Sequence, residues 1–211
     1  MSGDHDHGPH PHQPDLEDSA PSESELLAQA LEELLIEQGT IGAADLRRAI
    51  ESGDARSSAS GARLVARCWV DAAFEQRVLA NVNVAARELG FELGPVEVRA
   101  VKDTARVHNV IVCTLCSCYP IALLGASPDW YKSREYRSRV VREPRAVLAE
   151  FGTELPRDVE VRVHDSSADL RYLVIPLRPR GTEGLSEEAL AALVTRDCMI
   201  GTALPEAPAG A

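Results

Sequence analysis

Residues 107–120 read Val107-His108-Asn109-Val110-Ile111-Val112-Cys113-Thr114-Leu115-Cys116-Ser117-Cys118-Tyr119-Pro120. The run from Val107 to Val112 is β-branched and apolar apart from His108 and Asn109, which predicts a buried strand. Three thiols follow at C-x-x-C-x-C spacing, where a rigid element gives way to a loop. Cys116 and Cys118 flank one residue, too tight for two adjacent corners of a relaxed tetrahedral zinc site. Structural zinc also usually takes a fourth Cys or His from a second pair. Cys68 and Cys198 are isolated in the sequence, and His108 and His164 have no motif spacing.

Such a tight loop can chelate through its backbone. A strongly Lewis-acidic trivalent ion could displace the amide protons of Ser117 and Cys118. Their nitrogens and the sulfurs of Cys113, Cys116 and Cys118 would then give three sulfurs and two nitrogens. One octahedral corner stays open for water or substrate. Soft thiolates with an open octahedral position suggest Co(III) or Fe(III) rather than Mg or Ca, and an open position suits Lewis-acid catalysis. The spacing alone also admits a redox CxxC pair or half of a zinc site, in which the chain would be a non-enzymatic zinc-binding interaction module. Cys68 lies in the apolar stretch from Leu64 to Val70 and reads as a core thiol. Cys198 reads as structural.

The chain around this segment has 211 residues, with 22 Lys+Arg against 33 Asp+Glu and a net charge of −11. Hydrophobic residues make up 45% and charged residues 26%, as in a soluble globular protein. The acidic balance argues against nucleic acid or an anionic membrane as partner. No apolar run approaches the roughly 20 residues of a spanning helix. Five cysteines, three of them clustered, are not a disulfide framework and point to a reduced, cytoplasmic setting.

Residues 1–21 read as a disordered tail and not as a secretory signal. His5, His7, His10 and His12 could gather divalent cations weakly, or the tail could simply be solvated. Ser22 and Glu25 form a capping-box pattern before a helix carrying Leu26, Leu27, Leu31 and Leu34 on one stripe, stopped at Gly39. A short helix is expected over Ala43 to Glu51 and a loop over Ser57 to Gly61. Asp71 should cap a helix running to Leu89. Val96 to Val101, Val107 to Val112, Val159 to Val163 and Arg171 to Leu177 read as strands. Glu143-Pro144 opens a helix to Phe151, and Ser186 opens one through Val194. Helices first, then strands mixed with helices, predict an α+β fold with antiparallel sheets.

Val112 to Pro120 resembles the metal-binding signature of the nitrile hydratase alpha subunit. The likeness extends to Asp129-Trp130-Tyr131-Lys132 and to Tyr136-Arg137-Ser138-Arg139-Val140-Val141-Arg142-Glu143-Pro144-Arg145. It includes Val163 to Arg171 with Asp165-Ser166-Ser167, Pro176 to Gly184, and Leu193 to Gly201. Leu35 to Gly39 matches the family's first helix. The resemblance covers roughly residues 22 to 205. It implies a helical N-terminal arm at 22–90 and a metal-binding domain at 91–205 with four layers α/β/β/α, while the tail at 1–21 and a flexible C-terminus at 206–211 lie outside it.

In that family Thr114 and Tyr119 mark the cobalt type, with iron as the alternative. The resemblance implies a non-corrin Co(III) held by Cys113, Cys116, Ser117 and Cys118, with Cys116 as sulfinate and Cys118 as sulfenate. The implied reaction hydrates a nitrile to an amide. The nucleophile is either the Cys118 sulfenate oxygen or a metal-bound hydroxide, and Ser117 supports the site. Asp165, Asp169 and Arg171 match positions around the metal near the partner, but could equally form a surface ion-pair group. The resemblance implies a beta subunit, single or split into two chains, whose arginines face the cysteine oxyacids, and it admits a metallation or activator protein.

One departure concerns the substrate. After Tyr119-Pro120 the family usually has Trp-Pro-Val-Leu-Gly-Leu-Pro-Pro, whereas this chain has Ile121-Ala122-Leu123-Leu124-Gly125-Ala126-Ser127-Pro128. Ile121 in place of Trp should open space near the open coordination site. The expectation is a bulky or heteroaromatic nitrile such as the nucleoside antibiotic toyocamycin, unless the partner fills the gap. The metal-bearing gamma subunit of thiocyanate hydrolase shares the motif and is the nearest alternative.

Overall fold

The computed structural model describes residues 22–42, 44–46 and 57–206. The expected tail and most of the expected helix at Ala43 to Glu51 lie outside them. The chain divides into two units, Met1–Glu51 and Ser52–Ala211. In the first, α1 (Glu23–Glu37) begins where Ser22 is expected to cap it. Its Leu26, Leu27, Leu31 and Leu34 are exposed, so the apolar stripe of this helix is not consumed by a core.

The second unit opens with α2 (Ala59–Val70), α3 (Ala72–Ala80) and α4 (Val82–Glu88). The expected loop at Ser57 to Gly61 is in part the first turn of α2. Gly61 is there for close packing, since a Cβ would lie 2.7 Å from Met199 Sδ and 3.0 Å from Leu123 O. The expected helix from Asp71 to Leu89 is two helices. Asp71 caps the first through Phe74 N, and Asn81, itself extended, caps the second through Val84 N. An Asn side chain that satisfies a new set of orphan amides ends one helix and starts the next.

The strands are β1 (Glu97–Lys102), β2 (Val107–Val112), β3 (Glu160–Asp165) and β4 (Leu170–Ile175). They form two two-stranded sheets, β1 with β4 and β2 with β3, and both pairs are parallel. The expected antiparallel sheets are thus replaced by parallel ones. The physical reason is the connection. Strands close in sequence, β1–β2 and β3–β4, lie in different sheets. The strands that do pair are joined by long crossovers, as parallel pairing requires. The β2–β3 crossover carries α5 (Ile121–Leu124), α6 (Asp129–Lys132), α7 (Arg134–Arg139) and α8 (Pro144–Glu150). The chain ends in α9 (Glu187–Ala191) and α10 (Arg196–Ile200).

One continuous core joins α2–α4, the inner faces of the strands and α10, from Leu64 and Phe74 to Val110, Ile111, Leu173 and Met199. Five of the six residues of β2 are fully buried. This strand is therefore a rigid post, and Cys113 stands at its end. No helix among the described residues is long and apolar enough to cross a membrane.

Candidate metal centre

The cysteine loop begins at the last buried step of β2. Cys113 is buried, Cys118 is half-buried, and Cys116 is exposed. Cys113 Sγ lies 3.5 Å from Cys116 Sγ, which lies 3.3 Å from Cys118 Sγ. All three sulfurs fall within 4.8 Å of one another, and among the described residues no other such His, Cys or carboxylate cluster occurs. A metal–sulfur bond of about 2.3 Å separates adjacent sulfurs by about 3.3 Å in an octahedron and about 3.8 Å in a tetrahedron. The three thiols therefore fit a single soft-ligand metal, and the Cys116–Cys118 separation matches the octahedral value.

Electrostatics inside the cluster are uneven. Hydrogen bonds from Cys118 and Cys113, then the amides of Ser117 and Cys118, hold the Cys116 thiol down at about 7. Burial, followed by its thiol neighbours, pushes Cys118 up to about 12. The exposed Cys116 thiol is thus the more readily ionised of these two. Arg171 sits close enough to favour the Cys118 thiolate by its charge.

The loop is clamped from three sides. Asp165, at the end of β3, accepts from Thr114 N at 2.9 Å and from Thr114 Oγ1 at 2.6 Å. Arg137 of α7 donates to Thr114 O at 3.4 Å. Tyr131 of α6 is fully buried and donates to Cys118 O at 3.0 Å. Tyr136 of α7 fixes the strand itself through Ile111 O at 2.8 Å. The crossover helices thus return as props for the loop that precedes them.

Among the sequence-derived residues, Cys113, Cys116, Ser117 and Cys118 form the loop, and Asp165 and Arg171 lie at it. Asp169 precedes β4, where its carbonyl accepts from Glu97 N at 3.2 Å. Its side chain makes no hydrogen bond or ion pair among the described residues. Tyr119 is buried against Tyr131, with ring centroids 5.1 Å apart, and its hydroxyl has no hydrogen-bond partner among the described residues. Ile121 is 46% exposed at the start of α5. Sequence reasoning missed Tyr131, Tyr136 and Arg137 as props, although all three lie in the quoted downstream motifs. Spacing from the cysteines does not reveal that a crossover folds back.

The histidines are engaged elsewhere. His108 Nδ1 lies 3.1 Å from Asp103 Oδ2, and His108 Nε2 lies 2.8 Å from Gly201 O. Asn109 donates twice to Asp103 Oδ1, at 2.7 and 2.8 Å. His164 Nε2 lies 2.8 Å from Asn109 Oδ1. This buried network ties β2 to β3 and to the chain after α10. Cys68 is buried, and its burial pushes the thiol up to about 12. Cys198 is buried beside Thr195 Oγ1 at 3.1 Å. Both fit the expected structural role.

Comparison with known proteins places this geometry in a family. Residues 22–203 match the family model described as nitrile hydratase, alpha chain. The chain is 47% identical to the alpha subunit of the low-molecular-weight cobalt-containing nitrile hydratase of Rhodococcus rhodochrous, over 87% of this chain and 89% of that one. It is 42% identical to the gamma subunit of thiocyanate hydrolase from Thiobacillus thioparus, over 88% and 81% of the two chains. An iron-type nitrile hydratase structure from Comamonas testosteroni superposes with a TM-score of 0.79 at 39% identity, over 90% of this chain and 94% of that one. With a match to the family model from the first described helix to the end of α10, this chain belongs to the nitrile hydratase alpha-subunit family.

Proposed function

We propose that this chain is the alpha subunit of a cobalt nitrile hydratase that hydrates a nitrile to its amide. The observation that carries the reading is the convergence of Cys113, Cys116 and Cys118 sulfurs on one point at the end of β2. Those sulfurs and the amide nitrogens of Ser117 and Cys118 would hold Co(III), leaving one corner open. When bound, the ion supplies Lewis acidity that polarises the nitrile. The chain's own residues do the rest. Cys113, buried in the core, anchors the loop. Cys116, exposed and low in pKa, is the thiol most open to oxidation toward sulfinate. Cys118, once oxidised to sulfenate with dioxygen as the oxidant, would offer its oxygen as one of the two candidate nucleophiles. The Ser117 hydroxyl lies beside it on the exposed loop.

Cobalt is favoured over iron by the cobalt-containing relative and by Thr114 and Tyr119. The partner is a beta subunit, and its basic side chains would neutralise the two oxyacids. The exposed leucines of α1 suit an arm laid on that partner. The family's four-layer α/β/β/α order is supported by two sheets flanked by helices. Asp165 and Arg171 act around the metal from where they lie, Asp165 through Thr114 and Arg171 through its charge. Ile121 and Tyr119 border the substrate, and the smaller Ile121 suits a bulky or heteroaromatic nitrile such as toyocamycin. Five free cysteines suit a reduced cytoplasm.

The 42% identity to a thiocyanate hydrolase gamma subunit supports a second reading, with thiocyanate as substrate. Assaying nitriles and thiocyanate side by side separates the two. The test of the centre is the mass of tryptic peptide Val107 to Lys132 from cobalt-supplied protein assembled with its partner, together with its cobalt content. Two oxygens on Cys116 and one on Cys118, with Cys113 plain, is the expected result. Three plain thiols with zinc would overturn the reading.

A further inference from the structure

Both parallel strand pairs have a carboxyl end, the place where ligands of parallel sheets gather. The carboxyl end of β2–β3 carries the cysteine loop and Asp165. At the carboxyl end of β1–β4, Lys102 pairs with Ile175, and a cavity of about 300 Å³ opens there. Its walls are the last turn of α2, the start of α3 and residues 176–178 after β4. None of its lining residues belongs to the metal centre. The walls are tied to each other. Trp69 Nε1 donates to Pro176 O at 2.8 Å, and Arg178 Nη1 donates to Trp69 O at 3.1 Å. The indole and the guanidinium are therefore in place before any ligand arrives. Val70 and Leu177, 47% and 51% exposed, add apolar surface.

The charges of the lining do not cancel. Glu75 is matched by Lys102, whose Nζ lies 2.7 Å from Glu75 Oε1. Asp71, just before α3, is committed to Arg67 at 3.3 Å and to Phe74 N at 2.9 Å. Arg178 has only neutral acceptors, Thr182 Oγ1 at 2.9 Å, Trp69 O at 3.1 Å and Thr182 O. Those bonds use three of its five N–H groups and leave one on each Nη. A held guanidinium without a carboxylate, in a chain of net charge −11, is a place for an anion from outside. We propose that this cavity binds a small monocarboxylate with an apolar body. Its two oxygens take the free N–H groups of Arg178, and its body lies against Trp69 and Leu177. A dianion such as phosphate would add a second negative charge beside Glu75 and offer nothing to the apolar wall. At about 30 Å³ per non-hydrogen atom the cavity holds about ten, the size of benzoate. Nothing in this site depends on what the cysteines hold.

The test is calorimetric titration of the full chain, assembled with its partner, with benzoate and with the neutral isostere benzamide at fixed ionic strength. The parent should bind benzoate with a Kd of about 1 mM or tighter, and benzamide at least about 10-fold more weakly. Arg178→Gln removes the charge and should weaken benzoate at least about 10-fold. Because Arg178 also ties two segments together, a second pair of variants sits at the exposed Val70. Val70→Glu adds a carboxylate at the cavity and should weaken benzoate about 5-fold, whereas Val70→Gln should bind like the parent. Absence of saturable benzoate binding up to about 10 mM would overturn the proposal. Equal affinity for benzamide would do the same. So would Val70→Glu and Val70→Gln proteins that bind benzoate alike, since the acid would then sit elsewhere, the cysteine loop included.

Discussion

The carboxylate of Asp165 holds Thr114 with two hydrogen bonds, to its amide at 2.9 Å and its hydroxyl at 2.6 Å. One residue at the end of β3 therefore fixes the first turn of the loop that leaves β2. Both contacts are to a charged acceptor, the stronger kind. Asp165→Asn keeps the shape, loses the charge and loses one acceptor. It should lower nitrile turnover of the cobalt-loaded assembly by about 10- to 100-fold, the usual effect of removing a support for a metal ligand. Thermal stability should change little, since the site is exposed. Parent-like turnover at full cobalt content would show that the clamp is dispensable.

The buried pair of His108 and Asp103 makes stability pH-dependent. The ring nitrogens of His108 face a carboxylate at 3.1 Å and the Gly201 carbonyl at 2.8 Å, an arrangement that favours the cationic ring. Burial lowers its pKa, but the Asp103 hydrogen bond and charge outweigh burial and raise it above the ordinary 6.5. A group with a raised folded pKa contributes fully below its unfolded pKa, and that contribution is lost as pH rises through the folded value. His108→Leu leaves the buried Asp103 carboxylate without its cationic partner, held only by Asn109, and should cost about 3–5 kcal/mol at pH 6. The difference between parent and variant should shrink by pH 9 in urea titrations. A difference that stays constant across that range would mean the ring is neutral.

Gly201 and Gly90 both have positive φ, +91° and +80°, but only Gly201 is crowded. A Cβ on Gly201 would lie 2.0 Å from Asn109 O, whereas Gly90 has nothing within 4 Å. Gly90→Ala should cost about 1–2 kcal/mol from backbone strain alone. Gly201→Ala must also push α10 away from β2 and break the His108 contact. It should cost at least about 4 kcal/mol, in the range that single changes seldom reach. Equal melting temperatures for the two variants would contradict this packing.

The elements whose signals are local were legible. β2 was readable from its β-branched run, α8 from Pro144 at its first turn, and α9 from Ser186. Pairing was not legible, because which strands meet depends on crossovers that composition does not encode. The parallel register of Val112 with Asp165 is therefore a structural finding. The break at Asn81 was missed because the apolar period runs through it, and the capping side chain overrides that period. At the centre, cysteine spacing was readable, but Tyr131 reaches Cys118 O from α6, and nothing in its own position advertises that reach.

Ile121 offers the direct test of substrate size. It begins α5, two residues after Tyr119, and is 46% exposed. The family's usual Trp would place a larger ring at this exposed position close in sequence to the cysteine loop. Ile121→Trp should leave folding and cobalt content unchanged, because an exposed position can take the added volume without displacing the core. Discrimination should move instead. A pocket that loses a few methylenes of space rejects a large ligand by about 10- to 200-fold while leaving small ones unaffected. The variant should therefore keep its kcat/KM for acrylonitrile and lose at least about 10-fold for a heteroaromatic nitrile. A parallel drop for both substrates would indicate a disturbed loop, since Tyr119 adjoins Cys118. No change for either would mean that the partner subunit, and not Ile121, sets the width of the site.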